Sequence, residues 1–292
     1  MKNLKRIITT TLFLCSTCSI VYAQEPDKDE SAKLAKELAN PNATRGQLFN
    51  NIDYVHYNGD SPNASQNGLV YSFQPSLPVP LGQGTNLFIR PLIPVYLSQA
   101  TLGEDGLFTN ETSFGNISAD VAIGKTWKSK WMTLVGVFGS FPTATNENLR
   151  SNHTTLGPEF VVGKVTSWGF LGVMVNHAWG VGNLDPEPEV FTISSTGRSS
   201  RESVTAGQYF YTINVAEGWQ IQGQPTFSYN HNGTKGNKFT FPLGTGVTHV
   251  TKWGKIPMKL NMQYWYYAAS PDNFGPQHQV RLIITPIVKL PW

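Results

Sequence analysis

From Gly46 onward, apolar and polar residues alternate almost one for one. In the plainest stretch, Trp219, Ile221, Gly223, Pro225, Phe227 and Tyr229 fall on one face, and Gln220, Gln222, Gln224, Thr226, Ser228 and Asn230 on the other. Ile256 to Tyr267 repeats the pattern, with Ile256, Met258, Leu260, Met262, Tyr264 and Tyr266 set against Lys259, Asn261, Gln263 and Trp265. The final stretch sets Val280, Leu282, Ile284, Val288, Leu290 and Trp292 against Gln279, Arg281, Thr285 and Lys289. Successive side chains of a strand point to opposite sides, so this period predicts strands with one apolar and one polar face.

Twelve such strands are predicted, near 46–57, 67–79, 85–97, 115–127, 130–141, 154–166, 168–179, 203–216, 219–231, 238–251, 256–267 and 278–292. The connections alternate in length. Segments 80–84, 128–129, 167, 217–218 and 252–255 are tight, whereas 58–66, 98–114, 142–153, 180–202, 232–237 and 268–277 are longer and rich in Asn, Gly, Pro, Ser and Asp. Short turns interleaved with longer loops are expected of an up-and-down barrel with both termini on one side of a membrane. A Greek-key sandwich gives no reason for that alternation. The predicted fold is therefore all-β: a 12-stranded antiparallel up-and-down transmembrane β-barrel, residues 46–292, with a short N-terminal helix.

That helix is expected in Ser31-Ala-Lys-Leu-Ala-Lys-Glu-Leu-Ala-Asn40, with Asp29 or Ser31 as cap, Leu34 and Leu38 on one face, and Pro41 after its end. At about ten residues it is marginal alone and needs a surface to dock on. Residues 24–45 then form either a periplasmic lead-in or a plug in the barrel mouth. Ahead of them, Lys2, Lys5 and Arg6, an apolar stretch from Ile7 to Ile20, and Val21-Tyr22-Ala23 predict a secretion signal over 1–23, cleaved before Gln24.

Composition changes the picture in two ways. Both cysteines, Cys15 and Cys18, lie in the signal, so the mature chain has no disulfide, thiolate metal site or cysteine nucleophile. The chain holds 22 basic and 19 acidic residues, and the three in excess are those of the signal. The remainder is neutral, which offers nothing to a nucleic-acid partner. Tryptophans sort by connection length: Trp127, Trp131, Trp168, Trp219, Trp253 and Trp292 lie beside a short turn or at the C-terminus. An indole has an apolar body and one donor, so it favours the headgroup boundary. These six are the expected membrane-interface girdle at the periplasmic end. Trp292, closing an alternating strand, resembles the signal read by the outer-membrane barrel-assembly machinery.

Several stretches are shared with a known family. They are Ala35-Lys-Glu-Leu-Ala-Asn-Pro41, Asn86-Leu-Phe-Ile-Arg-Pro-Leu-Ile-Pro94, Ser140-Phe-Pro-Thr-Ala-Thr145, Leu156-Gly-Pro158, Asn176-His-Ala-Trp179, and Tyr264-Trp-Tyr-Tyr-Ala-Ala-Ser-Pro-Asp-Asn273 with Gly275-Pro276 and Arg281. In this order they resemble a family of bacterial outer-membrane transporter proteins, often carried under the misplaced name neuromedin U. That family is similar to the barrel proteins of phenol and toluene meta-cleavage pathways. The resemblance implies a barrel and passage of small molecules, and no particular solute. It gives no guidance for the Ser- and Arg-bearing loop around 190–203.

If the polar faces line a lumen, the candidate lining residues are Arg90, Asp120, Glu159, Gln220, Gln222, Gln224, Lys259, Asn261, Gln263 and Arg281, with Lys289 near the periplasmic end. Ionisable groups at membrane depth are costly unless paired or hydrated, so these mark either a water path or internal ion pairs. A hydrolase would need a Ser beside a His held by a third group. The six histidines, His56, His153, His177, His231, His249 and His278, offer no such motif. The carboxylates of Leu184-Asp-Pro-Glu-Pro-Glu-Val190 read as solvated loop charge rather than a Ca²⁺ site. The reading is an exported outer-membrane channel for a small-molecule solute, embedded in lipid and lipopolysaccharide, with no catalytic residue, cofactor or metal assigned. A closed structural or adhesive barrel with binding loops is the alternative, and a membrane-embedded hydrolase a further one.

Overall fold

The computed structural model describes residues 28–103, 106–181 and 202–292. The expected signal and most of the 180–202 loop lie outside the described residues. The strands are β1 (Gly46–Asn58), β2 (Gln66–Gly82), β3 (Thr85–Leu102), β4 in two pieces (Phe108–Phe114 and Ser118–Thr126), β5 (Trp131–Ser140) and β6 (Thr154–Val165). They continue with β7 (Gly169–Val181), β8 (Ser203–Ala216), β9 in two pieces (Trp219–Gly223 and Thr226–Asn230), β10 (Phe239–Trp253), β11 (Ile256–Ala269) and β12 (Gly275–Val288). Each strand pairs antiparallel with its sequence neighbours, and β1 pairs with β12 from Gly46↔Val288 to Asn58↔Gly275. That last pairing closes a 12-stranded barrel and leaves no sheet edge.

The inner face is buried and mostly polar, with an apolar patch toward the short-turn end, and the outer face is apolar and exposed. Ile52, Ile89, Val121, Val135, Phe160, Leu171, Val247 and Met262 all point outward. Alternation within each strand forces this division, because neither set can change side without shifting register by one residue. Turn chemistry sets the strand ends. Between β2 and β3 the chain reverses through Gly82-Gln83-Gly84, all three at positive φ (91°, 52° and 74°), which is easy for glycine and costly for most other residues.

Two boundaries differ from expectation. The stretch 98–114 is not all loop: β3 runs on to Leu102 and pairs with Phe108–Phe114, leaving only residues 103–107 between them. Its polar composition (Ser98, Gln99, Thr109, Asn110, Glu111, Thr112) hides strands that stand beyond the apolar belt. The twelfth strand ends at Val288, and Trp292 lies beyond it with its indole N–H donated to the Pro78 carbonyl at 2.8 Å. A third irregularity is the interruption of β9. Its ladder to β10 stops at Ile221↔Val247 and resumes at Ser228↔Thr240. Across that gap Tyr209 donates to the Pro242 carbonyl (2.9 Å) and Tyr211 to the Gly244 carbonyl (3.2 Å), while the Gly244 N–H donates to the Tyr209 hydroxyl (3.3 Å). Backbone groups facing lipid need a partner, and here phenol oxygens replace a strand.

Helix α1 (Lys28–Ala39) sits inside the barrel at the short-turn end. Leu34, Ala35 and Leu38 pack on Val250 and Ile287, while Ala39 joins Phe88, Ala122, Met132, Leu134, Val161 and Phe170, all inward-facing. Gln220 donates to the Ala35 carbonyl at 2.9 Å. Asn42, just after the helix, donates to the Gly84 carbonyl and to Thr126, both at 2.9 Å. Of the two placements open to it, the helix fills the mouth. The helix already includes Lys28, so Asp29 and Ser31, the two expected caps, both lie within it.

Candidate functional site

Two charged centres occupy the inner wall at mid-depth. In the first, Arg90 of β3 donates from Nε to Asp120 on the adjacent β4 (2.7 Å) and from Nη2 to Glu159 on β6 (2.8 Å). Its reach over two strands depends on small residues between: Ala122 on β4 and Gly136 on β5, the latter directly opposite Glu159 in the register. The Met174 sulfur lies 4.0 Å from the same guanidinium. Glu159 is only 1% exposed, so its charge depends on that guanidinium rather than on water.

The second centre closes the circle between first and last strands. Arg281 of β12 donates from Nε (2.5 Å) and Nη2 (2.9 Å) to the two oxygens of Asp53 on β1, a bidentate pair. Gln279 adds a 2.7 Å bond to the same carboxylate and accepts one from Tyr267 at 2.6 Å. The Arg281 guanidinium stacks on the Trp265 ring, 4.5 Å from its centroid.

From Trp265 a chain of hydrogen bonds runs round the wall. Trp265 Nε1 donates to Gln263 (2.9 Å), Gln263 to Asn261 (2.6 Å), Asn261 to Thr248 (2.7 Å), Thr248 to Gln222 (2.9 Å) and Gln222 to Gln224 (3.4 Å). Amides and hydroxyls can both give and accept, so one continuous ribbon spans β9 to β11 with few unsatisfied atoms. Pro225 is fully buried and turns in toward Gly244 and Trp265, rather than joining the outer face its spacing suggests.

The ten candidate lining residues all point inward, but they do not act as one set. Arg90, Asp120 and Glu159 form the first centre, and Arg281 anchors the second. Gln222, Gln224, Asn261 and Gln263 form the ribbon. Gln220 belongs to the plug, bonded to Ala35 and to Asn214 (2.8 Å). Lys259 stands apart from all of these. Lys289 is exposed beyond the end of β12, outside the lumen. Sequence reasoning missed Asp53 and Tyr267. Asp53 alternates in phase with the buried Asn51, and that was the available signal. The six indoles of the short-turn end are all exposed on the outside, and Lys125 and Lys164 lie 4.5 and 4.8 Å over the rings of Trp127 and Trp131.

At the long-loop end Phe274 stacks between Tyr57 (5.1 Å) and Phe108 (4.8 Å), over the buried Ala64 and Ala100. Two serines stand near histidines there: Ser203 Oγ lies 3.4 Å from His177 Nε2, whose Nδ1 lies 2.8 Å from the Thr205 hydroxyl rather than from a carboxylate. Ser151 Oγ lies 3.2 Å from a Glu202 carboxylate oxygen and 3.0 Å from the His153 carbonyl, while His153 Nε2 is buried with no partner, so no imidazole addresses the hydroxyl. Among the described residues, no group of three His, Cys, Asp or Glu could hold a metal.

No family model and no curated protein matches the chain. Solved structures do. An outer-membrane channel of Pseudomonas putida F1 superposes with a TM-score of 0.60 at 14% identity, over 83% of this chain and 94% of that one. The fold is that of a solved outer-membrane channel. A looser likeness extends to the NanC porin (TM-score 0.47, 11% identity, 82% of this chain and 100% of that one). One looser still reaches the outer-membrane phospholipase of Salmonella typhi (TM-score 0.39, 11% identity, 83% and 90%). At these identities what is shared with this barrel is architecture.

Proposed function

We propose that the protein is an outer-membrane channel that passes a small solute along its polar inner wall, and that α1 holds its periplasmic mouth shut. The observation that carries this is the inner face itself: two ion-pair centres and a polar ribbon at mid-depth, inside an outer face that is apolar. Placing charges at membrane depth is expensive, and a purely structural barrel would be better served by apolar filling. The outward indoles of the short-turn end then sit at the inner headgroup boundary, with lipid and lipopolysaccharide around the rest. The resemblance to solute-passing barrels and the likeness to a solved channel support the same reading. It assigns no catalytic step.

Planar-bilayer recording tests it. Full-length protein should show rare, small steps, and a variant lacking 28–39 should conduct more often and more strongly. Silence from both, with the barrel folded, would favour the alternative of a closed barrel acting through its loops, an alternative that the internally satisfied ion pairs also fit.

A further inference from the structure

At the long-loop end, on the lipid side of the wall, lies an open groove of about 570 Å³, within the size range of small-ligand sites. Its apolar lining is aromatic. Tyr229 of β9 and Phe239 of β10 stand directly opposite each other in the register and are 39% and 43% exposed. Both face outward: the register runs from Tyr229 to Thr205 and on to His177, which shares its face with the exposed Trp179. Lys235 and Lys238 bring positive charge to the same groove, and Ser270 of the neighbouring loop completes it.

Hydrogen bonds between loops fix its shape. The Asp272 N–H donates to the Gly236 carbonyl (3.1 Å), and the Asn273 N–H to the Asn237 side-chain oxygen (2.9 Å). The loop after β1 joins them, its Asp60 and Ser61 N–H groups donating to the Asp272 and Asn273 carbonyls (2.8 and 3.0 Å). Tyr229 packs edge-on against His231 (5.0 Å), whose Nε2 lies 2.8 Å from the Thr205 hydroxyl. Within this frame the lysines are short of partners. Lys238 donates once, to the His231 carbonyl at 3.2 Å, and Lys235 meets no acceptor among the described residues. The Asp272 carboxylate lies against Gly236 and pairs with neither lysine, so two cations stand against one acid.

Ammonium groups beside exposed aromatic rings at a membrane boundary suit an amphiphile with an anionic head. The long-loop end of an outer-membrane barrel meets the outer leaflet, whose lipopolysaccharide carries phosphates on its membrane-anchoring sugars. We propose that this groove holds the phosphorylated headgroup of lipopolysaccharide. Lys235 and Lys238 take a phosphate, while Tyr229 and Phe239 support the sugar and the first carbons of its acyl chains. A phosphate offers several acceptor oxygens, enough for the free N–H groups of both ammoniums. The site rests on the outer-membrane placement of the barrel and not on conduction. It also gives β9 and β10, whose ladder is interrupted, a common lipid ligand at their outer ends.

Full-length protein in detergent is titrated with bis-phosphorylated lipid A, the anchor of lipopolysaccharide, and with the same lipid stripped of phosphate. Bound lipid is read by native mass spectrometry. The phosphorylated form should bind at least about tenfold more tightly, the difference that charged hydrogen bonds supply. Lys235→Gln with Lys238→Gln should bring it down to the dephosphorylated level. Lys235→Gln alone, which breaks no bond among the described residues, should bring it part of the way. Lys128→Gln with Lys130→Gln, at the short-turn end, should leave it unchanged. Equal binding of the two lipids, unchanged affinity in the Lys235 and Lys238 double variant, or an equal loss in the Lys128 and Lys130 one would each overturn the site. Displacement of the lipid by equimolar inorganic phosphate would overturn it too, by showing that a free anion suffices. Tight lipid binding by a protein that never conducts would leave the groove standing and remove the channel reading.

Discussion

Arg90 holds two carboxylates that belong to different strands, and that sets what its loss must cost. Arg90→Met leaves Asp120 and Glu159 buried without a cation, and removing one member of a buried pair typically costs about 3–5 kcal/mol. Urea unfolding in lipid vesicles should show a loss of that size, and a smaller one for Glu159→Gln, where Arg90 keeps Asp120. Glu202 offers a pH test outside the strands. Burial pushes its carboxyl above the usual carboxylate range, with the Ser151 hydroxyl opposing weakly. The folded state therefore prefers the protonated form, and stability is lost as pH rises from the ordinary carboxylate pKa through the raised one. Amide exchange at Gly180, which donates to the Glu202 carbonyl at 2.9 Å, should be faster at pH 8 than at pH 4 once the intrinsic pH dependence of exchange is divided out, and Glu202→Gln should remove the difference. The charged residues were legible at this scale because an ionisable group in phase with a strand's polar face has only one place to go. Asp53 was not, because its partner lies 228 positions away and meets it only when the barrel closes.

At the scale of elements, α1 shows what spacing alone determines. Leu34 and Leu38, one turn apart, announced an apolar face, but the face could equally have met a membrane surface or a partner. Its destination follows from the matching cavity of inward apolar residues on β3 to β7, β10 and β12. Those residues break the polar phase of their own strands: Ile283 and Ile287 stand inward beside Arg281 and Thr285. Leu38→Asp should free the helix, and Lys33 and Lys36 should then be cut rapidly by trypsin in folded protein that otherwise resists. Resistance equal to wild type would place the docking energy elsewhere. Strand ends were less legible than strand cores. Polar strands beyond the lipid belt, such as Phe108–Phe114, carry a loop's composition, and only the register with β3 reveals them.

The closed circle of twelve strands is a property of the whole chain, readable from the alternation of turn and loop lengths because every antiparallel reversal must bring the chain back to the same side. The interruption of β9 was not readable. Gly223 and Pro225 fit the outer-face spacing, and nothing local says that tyrosines of β8 will cover the gap. Tyr209→Phe and Tyr211→Phe each leave a carbonyl unpaired, a loss of about 1–3 kcal/mol, and the double variant should speed amide exchange over 241–246 while the β1–β12 closure stays protected. A hoop bends where its joints are weakest. Most joints in this wall are long ladders of stiff, directional bonds, whereas the one between β9 and β10 is bridged partly by phenol side chains that can swing. Squeezed by the lateral pressure of a bilayer, the cross-section should flatten to an oval hinged on that line, so its bore would track membrane tension and thickness rather than remain a fixed diameter.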